Sequence, residues 1–183
     1  MACRARTAAT ASAPPARQSP LPQCRSAGQP VGQNDGKRGL KGWDGFKKVR
    51  GRKRHLLVDS QGLLMGVHVT GAQVQDRTGG AQLLERYAPA YPELQVLWAD
   101  RNYTGLFPAY AWNKHGLEVE ISVPDQRGVT RKRWVVERTF AWLGRARRLS
   151  KDYDYLVQTS EAWIYLAMSR LMWSRLARLH LTD

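Results

Sequence analysis

The 183 residues, 20.7 kDa in mass, give room for one domain of ordinary size with some chain left over. Lys and Arg number 29 against 15 Asp and Glu, a net charge of +14 and a pI near 10.4, a balance that suits a polyanionic partner, nucleic acid being the commonest. The two cysteines, Cys3 and Cys24, lie near the N-terminus without metal spacing, which argues against a disulfide framework and a zinc site.

No apolar core follows the N-terminal arginines, so the start does not read as a signal peptide. The late apolar run Ala162 to Leu179 is cut by Arg170, Arg175 and Arg178 and does not read as a membrane span. A cytoplasmic, nucleoid-associated protein with no membrane partner is expected.

Residues 1–33 hold five of the nine prolines, eight alanines, four arginines, no acid and no aromatic residue. Such a stretch cannot bury enough apolar surface to offset its ordering entropy, so it is expected to be disordered and to make no packed contact. A Gly-rich basic stretch follows from Gly36 to Lys48, interrupted by Trp43 and Phe46.

The folded pattern starts near Val49. Arg54 to Asp59 reads as a strand, Ser60-Gln61-Gly62 as a turn and Leu63 to Thr70 as the returning strand of a hairpin. Asp76 is expected to cap a helix running to about Tyr87, although Gly79 and Gly80 weaken its first turn. Gln95 to Asp100 reads as a strand, Tyr103 to Lys114 as a helix and Leu117 to Val123 as a strand. Residues 131–149 read as a helix, and Thr159 and Ser160 as caps of a last one, with Glu161 in its first turn. Strands alternating with helices predict α/β layers around a mixed sheet.

Two acids stand out. Asp100 ends a strand predicted to be central, the edge where sites collect in open α/β sheets, although an Asp in Asp-Arg-Asn-Tyr can equally cap its own turn. Glu137 is the one carboxylate in residues 131–151, against eight Lys or Arg. It can be read as half of an ion pair with Arg133 four residues before it, or as a metal ligand beside a phosphate-binding surface. Together the two acids point to metal-assisted phosphodiester chemistry, since hard divalent cations seek carboxylate oxygens. A third acid is wanted. Asp59 falls at the hairpin turn, and Asp44 and Asp35 lie in the irregular basic stretch. The run Lys47, Lys48, Arg50, Arg52, Lys53 and Arg54 fits phosphate contacts.

Four stretches resemble bacterial insertion-sequence transposases of the DDE superfamily, in the insertion-sequence-five-like group. They are Lys47 to Asp59, Val74 to Arg77, Trp98 to Gly105, and Arg133 to Leu143. The likeness spans about residues 39–180. It implies an RNase H-like mixed sheet flanked by helices. It also implies two divalent ions, Mg²⁺ or Mn²⁺, held by Asp, Asp and Glu. The activity implied is DNA transposition: cleavage of duplex DNA at the element ends and joining to target DNA, with a homo-oligomer left open. Asp100 matches the second catalytic Asp and Glu137 the catalytic Glu, both as metal ligands. Arg133 matches the Arg of the family's Tyr-Arg-Glu-Lys signature. The signature's Tyr position holds Thr130 and its Lys position Gly144, with Arg145 adjacent. Arg133, Arg138, Arg145, Arg147 and Arg148 would hold DNA.

The family's first Asp lies in a run like Asp-Ser-Gln-Ser-Val-Lys-Thr-Thr-Glu-Lys, which is absent here. Codons for Gly28 to Lys37, read one nucleotide later, permit that run at every position. Residues 1–38 are therefore expected to be out of frame, residues 39–183 to be a partial catalytic domain, and its first strand and first Asp to be missing. An inactive transposase is expected. The rivals are a non-catalytic DNA-binding remnant and a basic structural protein for RNA.

Overall fold

In the computed structural model of the chain, residues 21–25, 39–122 and 134–180 are described, residues 21–25 and His180 by backbone alone. Arg133 and the run from Gly28 to Lys37 lie outside the described residues.

The elements follow in the order β1 (Leu21–Arg25), β2 (Gly42–Asp44), β3 (Val49–Val58), β4 (Leu64–Gly71), α1 (Asp76–Tyr87), β5 (Val96–Ala99), α2 (Leu106–His115), β6 (Glu118–Ile121), α3 (Trp134–Gly144) and α4 (Val157–His180). Strand β3 is the hub. It pairs antiparallel with β1, β2 and β4, while β5 and β6 form a parallel pair.

Alternation along β3 sets the layers, because successive side chains point to opposite faces. Leu56 and Val58 join a core with Val67 and Val69 of β4, Val135, Val136 and Leu143 of α3, and Ile164 and Met168 of α4. Leu57 joins the opposite core, with Leu83 and Leu84 of α1, Leu97 and Ala99 of β5, and Tyr103, Phe107 and Ala111. The result is the α/β arrangement read from the sequence, with the expected mixed sheet replaced by an antiparallel four-stranded sheet and a parallel two-stranded one, α1 and α2 packing on one core and α3 and α4 on the other.

The hairpin, α1 and β5 fall close to where the periodicity puts them. Three differences have physical reasons. First, the expectation that residues 1–33 make no packed contact is corrected at Leu21–Arg25. This segment pairs along β3 from Leu21↔Val58 to Arg25↔Arg54 and lies against β5. The place where a first strand was expected to be missing is thus filled. A ten-residue strand leaves a long edge of unpaired backbone donors and acceptors, and any extended segment that covers it is favoured.

Second, α4 begins at Val157 and is not capped at Thr159 and Ser160. Ser160 Oγ donates instead to Asp152 Oδ1 at 3.1 Å. Glu161, expected in the first turn of the helix, is buried: it accepts from Val69 N at 3.0 Å and from Arg86 at 2.8 Å. Burial opposes its ionisation, but the bonds from His68, Arg86 and the Val69 amide outweigh this and hold its pKa below the usual range. Third, Asp76 does not cap α1. Gln75 occupies the cap position, and Asp76 opens the helix.

The two glycines of α1 have a packing reason. A Cβ on Gly79 would stand 2.1 Å from the His55 ring, and one on Gly80 2.5 Å from Tyr103. Close approach of α1 to β3 needs their absence. Gly79→Ala is therefore expected to destabilise the domain by about 1–3 kcal/mol through overpacking, read from the urea midpoint. An unchanged or raised midpoint, as helix propensity alone would give, would contradict the packing.

Candidate DNA interface and acidic pair

The basic run divides along β3. Lys48 and Arg50 are exposed, as is Lys47 in the preceding turn. Arg52, Lys53 and Arg54 are buried, which corrects the reading of all six as phosphate contacts. Even-numbered side chains turn toward the α4 layer. Arg52 donates to both carboxylate oxygens of Asp152 at 3.3 Å and to the carbonyls of Leu40, Asp154 and Tyr155 at 2.6, 3.0 and 2.6 Å. Arg54 Nη1 donates to Leu149 O at 3.1 Å. The odd-numbered Lys53 turns to the α1 side, donates to Val74 O at 2.9 Å and pairs with Asp76 at 3.1 Å.

That last pair reaches the turn that holds Asp100. Asn102 Nδ2 donates to Asp76 Oδ2 at 3.0 Å, and Asn102 N donates to Asp100 Oδ1 at 2.9 Å. The turn after β5 is thus tied through Asn102 to the buried Lys53–Asp76 pair. Sequence reasoning missed Asp76 and Asn102 in this role, because Lys53, Asp76 and Asn102 stand more than twenty residues apart in the chain and no local spacing signals them. Asp100, half-buried, does cap the 3-10 turn Arg101–Tyr103, the other use its setting allowed.

Glu137 is half-buried in the first turn of α3. Val135, Val136 and Leu143 anchor the helix in the core, and Thr139 Oγ1 docks it on the hairpin turn by donating to Gly62 O at 2.8 Å. Beside Glu137 runs a ladder of indoles and guanidiniums. Arg138 lies over Trp134 at 4.1 Å and Trp142 at 4.8 Å, and Arg175 over Trp142 at 4.4 Å. Arg138 also donates to Gln61 O at 2.6 Å. Its guanidinium, read from the sequence as a DNA contact, is spent largely inside the protein. Arg145, Arg147 and Arg148 remain exposed after α3, with Arg148 also over Trp163 and 3.4 Å from Asp154.

Of the candidate third acids, Asp35 lies outside the described residues, and Asp44 and Asp59 each bond the amides of their own turns. Asp44 Oδ1 accepts from the amides of Phe46 and Lys47, both at 3.0 Å. Asp59 Oδ1 accepts from those of Gln61 and Leu63 at 2.9 and 2.8 Å. Both hold their own turns. The strand beside β5, Leu21-Pro22-Gln23-Cys24-Arg25, contains no carboxylate. Among the described residues no group of three or more His, Cys, Asp and Glu is gathered for a metal. Two carboxylates do not fit a pair of hard cations, each of which seeks several oxygen ligands.

Compared with known proteins, residues 19–172 match the family model described as a transposase DDE domain. The chain belongs to this family. The transposase domain is 30% identical over 138 residues to a putative transposase for insertion sequence element IS402 from Burkholderia cepacia, covering 70% of this chain and 65% of that protein. It thus spans just under two thirds of that relative's length. Among solved structures it is similar to the catalytic core domain of BIV integrase, with a TM-score of 0.46, 15% identity, and 81% of this chain and 80% of that one covered. No helix among the described residues of the transposase domain is long and apolar enough to cross a membrane.

Proposed function

We propose that this transposase domain binds duplex DNA, the ends of an insertion sequence and its target, and that it does not cleave it. The reading rests on family membership together with exposed cations, Lys47, Lys48 and Arg50 of the β2–β3 hairpin and Arg145, Arg147 and Arg148 after α3. Asp100 and Glu137 are assigned as what remains of the acidic site, and Arg133 as a DNA contact. Alternation along β5 supports the acidic pair. Trp98 packs against the core that α3 covers, and period-two alternation carried two residues past it favours the same side for Asp100.

The absence of cleavage follows from the donor set. An intact relative would use Mg²⁺ or Mn²⁺ to activate the attacking group and stabilise the leaving oxygen. Here Gly28 stands where the family's run begins with Asp, and Asp44 and Asp59 hold their own turns. No step through a metal is assigned to this chain.

Binding is tested by fluorescence anisotropy with duplex DNA and duplex RNA across a salt series. Tight binding to DNA is expected at low salt, falling steeply with ionic strength as each phosphate contact releases a counterion. Combined loss of Lys48 and Arg50 should flatten the slope by roughly two contacts. Equal or better binding to RNA, or a slope near zero, would reject DNA as the partner.

A further inference from the structure

The hairpin β2–β3 carries an unusual tip. Phe46 is 95% exposed, and Trp43, paired across the strands with Arg50, is 57% exposed. A bare phenyl ring gains nothing from the folded chain, since burial of such a side chain is favourable and none occurs here.

The tip is nonetheless held firmly. Asp44, itself buried, accepts at Oδ1 from the amides of Phe46 and Lys47 at 3.0 Å, and its other oxygen lies 3.8 Å from the Lys53 ammonium. Lys48 completes the turn at φ +51°, a conformation uncommon for a side-chain-bearing residue. The backbone thus projects Phe46 at a fixed angle between basic neighbours. The acid of this tip, Asp44, is folded back on its own turn, so the outward charge comes from Lys47, Lys48 and Arg50, all exposed.

We infer that Phe46 is a wedge that enters a base step of duplex DNA while Lys47, Lys48 and Arg50 hold the flanking phosphates. The chemistry matches in both parts. Charge complementarity selects a polyanion, and an apolar side chain at a rigid tip is what unstacks and kinks a duplex, at a cost repaid by added contacts. Flexible pyrimidine–purine steps should be entered most readily. The inference rests on the DNA-binding reading above and adds deformation of the duplex to it.

The test uses the full chain and duplexes carrying 2-aminopurine at a single pyrimidine–purine step, compared with single strands of the same sequence. Saturating protein is expected to raise the 2-aminopurine fluorescence of the duplex, and Phe46→Ala to abolish the rise. Affinity should fall on the order of tenfold, the loss of one aromatic–base contact, with the salt slope unchanged. Because Phe46 is bare, its replacement should leave the thermal midpoint where it was, separating the effect from misfolding. Phe46→Trp should restore the rise. An equal rise in the wild type and Phe46→Ala, or binding with no rise at any step, would overturn the wedge while leaving DNA binding intact. A response confined to single strands would overturn it in favour of base stacking. Failure to bind duplex DNA at low salt would instead sink the reading on which it rests.

Discussion

Arg52→Ala is expected to cost about 3–5 kcal/mol of stability, the range for removing one partner of a buried ion pair. The side chain of Arg52 is 2% exposed and that of Asp152 9%. Its guanidinium also satisfies the carbonyls of Leu40, Asp154 and Tyr155. It joins the approach to β2, strand β3 and the segment entering α4, so its loss takes the cation from the Asp152 carboxylate and a donor from three carbonyls. Arg52→Lys should recover little, because a single ammonium cannot reproduce the fork. Arg50→Ala, two residues away and exposed, should change stability by no more than about 0.5 kcal/mol. Urea unfolding of the three variants reads the difference. Were Arg52→Ala as stable as the wild type but weaker for DNA, Arg52 would belong to the binding surface.

Acid is expected to weaken the fold well before the carboxylates titrate, through His55. The residue is 0% exposed, roofed by Gly79 of α1, with Nε2 2.9 Å from Thr70 Oγ1. Burial drives its pKa down from 6.5 to about 4, with His68 and Lys53 pushing the same way and Asp76 opposing them. The sign follows from where protons bind. Between about pH 6.5 and pH 4 the unfolded chain takes up a proton at His55 that the folded chain refuses. Stability is thus full above pH 6.5 and falls through that window, by on the order of 3 kcal/mol at its end. Glu161, whose pKa is lowered in the fold, adds its loss only below the ordinary carboxylate range near 4.3. Urea midpoints at pH 7.5, 6 and 5 should decline stepwise, and His55→Gln should flatten the decline even if it lowers every midpoint. A midpoint constant from pH 7.5 to 5 would show that His55 is charged or wet.

Much of the fold was legible because its signals are local. Period-two alternation announced the β3–β4 hairpin and β5, and Asp100 and Glu137 stood out by position and by isolation among cations. The misreadings share one cause: the deciding partner is remote. Arg52 meets Asp152 a hundred residues away, so a charged run that looked solvated is half interior. Ser160 and Glu161 looked like a helix start until Asp152, Arg86 and the Val69 amide claimed them. Strand β2 is three residues long in a Gly-rich stretch and gives no periodicity. Strand β1 has no apolar pattern of its own, and Pro22 lacks an N–H for a ladder. The exposed edge of β3, not the sequence of Leu21–Arg25, gives the segment its place.

The central claim is a transposase domain that holds DNA without cutting it, and nicking of supercoiled plasmid carrying the element's ends tests it most directly. With Mg²⁺ or Mn²⁺, at salt low enough for full binding, the present chain should bind and leave the plasmid supercoiled. A chain in which Gly28 to Lys37 are replaced by Asp-Ser-Gln-Ser-Val-Lys-Thr-Thr-Glu-Lys should gain a metal-dependent nick, provided the remaining regions are intact. Clear nicking by the present chain, lost in both Asp100→Asn and Glu137→Gln, would contradict the account and return Asp44 or Asp59 to the site as the third ligand.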